Sequence, residues 1–323
     1  MPRAIVVEKI GGPEVLQFAE RDPGAPGPGQ VRVRVAAAGV NFVDVYFRTG
    51  LYARPTPFVA GLEGAGRVEA VGEGVTGLAL GDRVAWASVT GSYAEVVVAS
   101  AAVLVRVPDG VADDLAAAVM LQGMTAHYLV YALREPRPGD WALVHAAAGG
   151  TGLLLVQMLR RAGVRVIGSC SSEAKAALAR EAGAELVVLS SEQDFMTAAR
   201  EATQGRGVDV VYDGIGKTSF DGSLASLRPR GLLALFGQAS GPVPPFDLQR
   251  LNAAGSLLLT RPSLAHFVAT REELELRAHA VLGAVADGSL RVRIGARFPL
   301  AEAANAQRAL ESRSTTGKVL LVP

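Results

Sequence analysis

The sequence predicts an α/β protein in which a doubly wound parallel sheet is inserted into a β-rich domain. Three observations carry this. From Trp141 to Phe236 short apolar runs alternate with helix-like stretches, and such alternation implies parallel strands joined by right-handed crossovers. Upstream, residues 58–107 consist of short Val-rich runs broken by Gly72, Gly74, Gly77, Gly81 and Gly91, the style of a compact β domain. Downstream of Leu264 mixed structure resumes. With 323 residues the chain suits two domains, divided at 1–122, 123–264 and 265–323, the last part folding back on the first.

Taken in order, residues 4–8 and 31–35 predict strands. The second, VRVRV, alternates with period two as a half-solvated antiparallel strand does. Between them Asp22–Gly29, DPGAPGPG, is a Pro/Gly loop. Asp113–Leu133 is Ala- and Leu-rich with few breakers and predicts two helices. Strands follow at Trp141–Val144, Val164–Gly168, Leu186–Leu189, Val208–Tyr212 and Gly231–Phe236, with a possible sixth at Leu257–Thr260. The intervening helices are Leu153–Leu159, Glu173–Ala182, Asp194–Thr203 and Ser219–Leu227. The tail predicts a helix through Glu272–Ala286, a strand near Arg291–Ile294, a helix near Ala301–Glu311 and a strand at Lys318–Val322.

Composition excludes several classes. Half the residues are hydrophobic and 20% are charged, enough for a large core. The net charge of +1 comes without a basic run, which argues against nucleic acid. Trp141–Leu159 carries no formal charge over nearly membrane-spanning length, but His145, three glycines and Gln157 make it a buried strand–loop–helix. The N-terminus lacks a signal-peptide layout, and the expected compartment is the cytoplasm. A single cysteine, Cys170, excludes an internal disulfide and a multi-cysteine zinc site.

The strand–loop–helix at Trp141–Leu159 carries the chemistry. In AAAGGTG, Ala147, Gly149 and Gly152 stand at the three small-residue positions of G-x-G-x-x-G, with Gly150 and Thr151 between. Small residues there let the strand turn sharply, let backbone approach a pyrophosphate and let the helix pack against the strand. The phosphates would rest on free N–H groups at the helix N-terminus. NAD-specific folds place an acid at the end of the second strand. Here that strand ends Gly168-Ser169-Cys170-Ser171-Ser172, and Lys175 follows, a set suited to a 2′-phosphate and so to NADPH. Glu173 precedes a helix whose N-terminus it favours. Phe236, Gly237 and Gln238 end the fifth strand, at the edge where open α/β sheets place ligands.

Matching stretches across nearly the whole chain resemble the medium-chain dehydrogenase/reductase superfamily, and within it the zinc-free NADPH:quinone oxidoreductases of the zeta-crystallin branch. They are GVNFVDVYFRTGLY (Gly39–Tyr52), GLEGAGRVEAVGEGV (Gly61–Val75), GDRVA (Gly81–Ala85), AAAGGTG (Ala146–Gly152), VVYDGIG (Val210–Gly216), TRPSL (Thr260–Leu264) and ESRSTTGKVLL (Glu311–Leu321). The resemblance implies a Rossmann sheet inserted in a GroES-like catalytic domain. Zinc-dependent relatives carry Cys, His and Cys where this chain has Asn41, Leu62 and, roughly, Leu121. One cysteine and dispersed histidines at 127, 145, 266 and 279 leave no tetrahedral ligand set.

By the same resemblance, Asn41, Tyr46 and Tyr52, in one loop-rich segment, line the cleft between domains near the nicotinamide. A tyrosine there offers a flat face to a quinone and a hydroxyl to a carbonyl oxygen gaining charge; Tyr46 and Phe47 as plain core aromatics are the alternative. Thr125 resembles the residue beside the nicotinamide, or bonds its own helix backbone. Lys175 and Lys318 fall at NADPH-contact positions, and Ser190 stands where the family often has a Tyr. Arg261 and Lys318 either reach cofactor phosphates or form surface ion pairs. No Ser–His–Asp set, carboxylate pair or Cys–His pair is evident, which fits hydride transfer, where the nicotinamide carries the chemistry. The expected activity is NADPH-dependent quinone reduction, by hydride or single-electron transfer. The alternatives are an enone or alkenal reductase and a crystallin or RNA-binding protein that only binds NADPH. Expected partners are a quinone or enone and a second copy of the chain, joined near Leu257–Thr260, with neither nucleic acid nor membrane.

Overall fold

A computed structural model describes all 323 residues, which form two compact units, Met1–Met124 with Val268–Pro323, and Thr125–Phe267. The first opens with β1 (Arg3–Val7), β2 (Leu16–Glu20), the long β3 (Gln30–Val40), helix α1 (Phe42–Arg48) and β4 (Phe58–Val59). It continues through β5 (Glu63–Val71), β6 (Arg83–Trp86), β7 (Val96–Ser100) and β8 (Val105–Arg106), then enters α2 (Asp113–Tyr131). Along β3 the alternation in VRVRV sorts Val31, Val33 and Val35 into the core, and Arg32 and Arg34 pair with Glu69 outside it.

The second unit alternates strand and helix: β9 (Trp141–Val144), α3 (Gly150–Arg161), β10 (Arg165–Cys170), α4 (Glu173–Ala182), β11 (Leu186–Leu189) and α5 (Phe195–Ala202). Then come β12 (Val208–Asp213), α6 (Phe220–Ser226), β13 (Leu227–Leu235), α7 (Gln249–Ala253) and β14 (Leu258–Thr260). The six strands are parallel in the order β11-β10-β9-β12-β13-β14. That order reverses direction between β9 and β12, the switch point at which such sheets open a crevice beyond their carboxyl ends. At the opposite end Asp209 accepts bonds from Arg206, the Trp141 N–H and Arg228. Burial alone would raise its pKa; these bonds outweigh burial and hold the carboxyl well below the ordinary range.

The chain returns to the first unit with α8 (Arg271–Ala286), β15 (Ile294–Pro299), α9 (Ala303–Glu311) and β16 (Lys318–Val322). β16 lies antiparallel to β3, with Val319 opposite Val40, so the seven-stranded sheet of this unit is built from both ends of the sequence. No helix is long and apolar enough to cross a membrane.

Three expectations need correction. Asp113–Leu133 is not two helices but one through Tyr131, because Gly123 supplies space rather than a break: a Cβ there would lie 2.6 Å from Val281 Cγ1 of α8. The strand expected near Arg291–Ile294 runs from Ile294 to Pro299, where β16 provides its parallel partner. The segment Gly39–Tyr52 is not loop-rich throughout but holds α1, closed at its start by a capping box between Asn41 and Asp44.

Candidate active site

The glycine loop does what its spacing requires. The chain leaves β9 through His145 and Ala146, which turns at φ +50°, and enters α3 through Gly149 as N-cap. A Cβ on Gly152 would lie 2.3 Å from the Ala146 carbonyl oxygen and 2.9 Å from Ala147 Cα. Helix and loop therefore touch through backbone alone. The amides of Gly150, Thr151 and Gly152 precede the first helical bond, from Leu153 N–H to Gly149 O, and form a ready anion cradle.

Beneath this loop lies a polar network that sequence reasoning missed. The Ser223 and Ser219 hydroxyls both donate to Asp213, wholly buried at the end of β12. With its proton committed, Ser223 accepts from His145 Nε2 at 3.0 Å, and His145 Nδ1 in turn accepts from Ser169 at 2.9 Å. A neutral imidazole is satisfied at both nitrogens, and burial holds its pKa below the ordinary 6.5. The signal in the sequence was a His at a strand end, uninformative without partners 24 and 78 residues away.

At the end of β10 the Lys175 ammonium donates to the Ser171 hydroxyl at 3.2 Å, bringing these two expected residues together at the surface. Glu173 is drawn off by an ion pair with Arg180, which lowers its pKa. Ser190, exposed, follows β11; Phe236 and Gly237 follow β13; Arg261, also exposed, follows β14. With Ala147 to Gly152 these residues share the carboxyl edge of one sheet. Gly237 lies against Gly214, since a Cβ there would be 2.5 Å from the Gly214 carbonyl oxygen. Thr125 is buried within α2.

In the first unit Tyr46 and Tyr52 meet edge to face with ring centroids 5.2 Å apart, and the Tyr52 N–H donates to Tyr46 O. Phe47 packs edge-on against Tyr52 at 5.8 Å. Tyr46 is buried and Tyr52 half-buried. Asp44, at the third position of α1, accepts from the Asn41 N–H and the Tyr93 hydroxyl. Burial outweighs those bonds and raises its pKa to about 7.

Two expected roles change. Lys318 does not reach a cofactor phosphate: its ammonium is 1% exposed, ion-paired with Glu63 and bonded to Asn41. Asn41 is likewise buried, its oxygen accepting from Lys318 and Gln122 and its nitrogen donating to Glu63 and Gly39 O. That exhausts the bonding capacity of a carboxamide, so Asn41 has nothing left to offer an acceptor.

Two family models match the chain, an alcohol dehydrogenase GroES-like domain at residues 27–109 and a zinc-binding dehydrogenase at residues 150–278. A quinone oxidoreductase of Pseudomonas aeruginosa is 45% identical over the whole of both chains. A 2-haloacrylate reductase of Burkholderia is 43% identical over all of this chain and 99% of its own. Among solved structures, Escherichia coli quinone oxidoreductase complexed with NADPH superposes with a TM-score of 0.97 at 39% identity, covering 99% of this chain and all of that one. A metal does not fit. No group of three or more His, Cys, Asp or Glu side chains is placed to hold one. Around position 41 the donors are amides and two carboxylates, Glu63 neutralised by the Lys318 ammonium and Asp44 held by the Asn41 N–H and the Tyr93 hydroxyl.

Proposed function

Since the chain belongs to the zinc-free quinone oxidoreductases of the medium-chain dehydrogenase/reductase superfamily, we propose that it oxidises NADPH and reduces a quinone. The observation that carries the cofactor assignment is the carboxyl edge of the six-stranded sheet. A glycine-rich helix start supplies amides for a pyrophosphate, and Ser171 with Lys175 supplies a hydroxyl and a cation where an NAD-binding fold has an acid. When bound, NADPH supplies the hydride from nicotinamide C4. The loop residues Ala147 to Gly152 would hold the pyrophosphate, Ser171 and Lys175 would hold the 2′-phosphate, and Phe236, Gly237 and Thr125 would border the nicotinamide. Tyr46 and Tyr52 would offer aromatic surface to a planar acceptor, and the Tyr52 hydroxyl would donate to an oxygen gaining charge. No metal step is needed, because position and field suffice when the cofactor carries the electrons.

The test is NADPH oxidation followed by absorbance on adding a benzoquinone, a naphthoquinone, a 2-haloacrylate and an alkenal in parallel. Quinone-dependent turnover supports the reading; none with any quinone overturns it. The second reading, reduction of an activated carbon–carbon double bond, is favoured by the 2-haloacrylate reductase relative, and turnover confined to the alkenes would select it. The same reading takes the protein as a cytoplasmic homodimer. β14 is the outer strand of its sheet with Leu258 57% exposed, and pairing with a second copy would cover its open backbone edge. A monomer mass by light scattering would refute the dimer.

A further inference from the structure

Four segments far apart in sequence converge on one buried ion pair. Lys318 opens β16 and Glu63 opens β5; their side chains are 1% and 0% exposed, with Nζ 2.5 Å from Oε2. The Asn41 oxygen accepts from Lys318 Nζ at 2.8 Å and from Gln122 Nε2 at 3.3 Å. Its nitrogen donates to Glu63 Oε2 at 2.8 Å and Gly39 O at 3.3 Å. Both partners of the oxygen are donors and both partners of the nitrogen accept, so turning the amide over would set its NH2 against an ammonium. The second carboxylate oxygen of Glu63 accepts from the Leu121 N–H at 2.6 Å. Gly39 makes the room: a Cβ there would stand 2.3 Å from Glu63 Oε2 and 2.7 Å from Lys318 Cε.

As a source of stability alone, a buried ion pair gains little over an apolar pair of similar volume, because desolvation offsets its attraction. What the apolar pair could not do is orient a carboxamide. That carboxamide belongs to the residue at the root of α1, whose backbone N–H donates to the Asp44 carboxylate and whose carbonyl accepts from the Asp44 N–H, and α1 carries Tyr46 and leads to Tyr52. We propose that the Lys318–Glu63 pair is a positioning device for the reaction. It fixes Asn41, and through Asn41 the start of α1 and the placement of the two tyrosines against the acceptor. Lys318, Glu63 and Asn41 are positioning residues that touch no acceptor. The inference rests on the reading of Tyr46 and Tyr52 as the acceptor's neighbours.

The test removes both charges together, Glu63→Leu with Lys318→Met, since either alone strands a buried charge and unfolds the unit. Asn41→Ala serves as a second variant that leaves the ion pair intact. Three quantities are read on each: kcat and KM for a quinone, Kd for NADPH by fluorescence titration, and hydrogen exchange across residues 41–52. Both variants are expected to lose about 30- to 100-fold in kcat/KM for the quinone, as a misplacement of about 1 Å does. NADPH Kd stays within about threefold, and exchange over 41–52 accelerates about tenfold while the six-stranded sheet keeps its protection. Quinone kinetics unchanged in either folded variant would overturn the proposal. If the parent protein turns over no quinone at all, the function proposed above fails instead. Exchange then decides here: unchanged protection of 41–52 in the variants overturns the positioning role.

Discussion

Replacing Gly152 with alanine puts one methyl group where the structure has no space. The added carbon would lie 2.3 Å from the Ala146 carbonyl oxygen and 2.9 Å from both Ala147 Cα and its carbonyl carbon. All three are backbone atoms, and the loop cannot yield, because the Ala147 N–H is bonded to Ser169 O at 3.1 Å. Helix α3 must therefore withdraw by about 1 Å to restore ordinary contact. Overpacking of this kind destabilises by about 1–3 kcal/mol, a fall in Tm of about 1.5–4.5 °C for a chain of this size. A helix start moved by about 1 Å also weakens the charge-assisted bonds from its amides to the pyrophosphate. Losing one such bond, about 1.5–3 kcal/mol, raises the NADPH Kd about 10- to 100-fold. Gly149→Ala is the internal control: its Cβ would sit 3.1 Å from the same oxygen at an ordinary φ of −76°, and binding should change by no more than about threefold. Fluorescence titration with NADPH and a thermal melt measure both effects. A Gly152→Ala protein that binds NADPH within about twofold of the parent and melts at the same temperature would refute the reasoning.

Lys175→Ala should raise KM for NADPH about 10- to 100-fold and leave KM for NADH unchanged; equal effects on both nucleotides would detach Lys175 from the 2′-phosphate. His145 titrates below the ordinary 6.5 because of burial. The unfolded chain therefore takes up its proton first, and stability is intact above about 6.5 and lost as pH falls below it. In His145→Gln the acid side of the Tm–pH curve should flatten, and a curve parallel to the parent's would reject the assignment. Asp44 shows the opposite sign. Its pKa is raised from 3.8 to about 7, so its contribution is full below about 3.8 and lost as pH rises through about 7. Asp44→Asn should remove the part of the Tm decline that runs between about pH 4 and 7; persistence of that decline would assign it elsewhere.

Much of the second unit was legible because its strands are buried on both faces and read as short apolar runs, each closed by a helix of opposite periodicity. Asp194 and Gly183 punctuate α5 and α4 at their expected ends, Asp194 accepting from the Met196 and Thr197 N–H groups and Gly183 turning at φ +114°. α1 escaped because 7 residues give less than two full turns of apolar periodicity, although Asn41 and Asp44 stood at capping-box spacing. The Ser171–Lys175 pair, 4 residues apart, was within reach of local reasoning. Lys318 and Glu63 were not: 255 residues separate them, and nothing in either neighbourhood indicates that the lysine faces inward. The His145 network is hidden for the same reason, since a histidine's role is set by partners that only the closed sheet supplies.

The separation of Glu63 from Lys318 also bears on how the polypeptide is made. A ribosome adding roughly 5–20 residues each second delivers the counter-ion on the order of 10–50 s after the carboxylate. Throughout that interval Glu63 has no cation to accompany it into a dry interior, so the nascent N-terminal segment stays open around it. Thr125–Phe267 has fully emerged by then, and the final strand locks the enclosing layer by carrying in both a hydrogen-bonded edge and the missing charge.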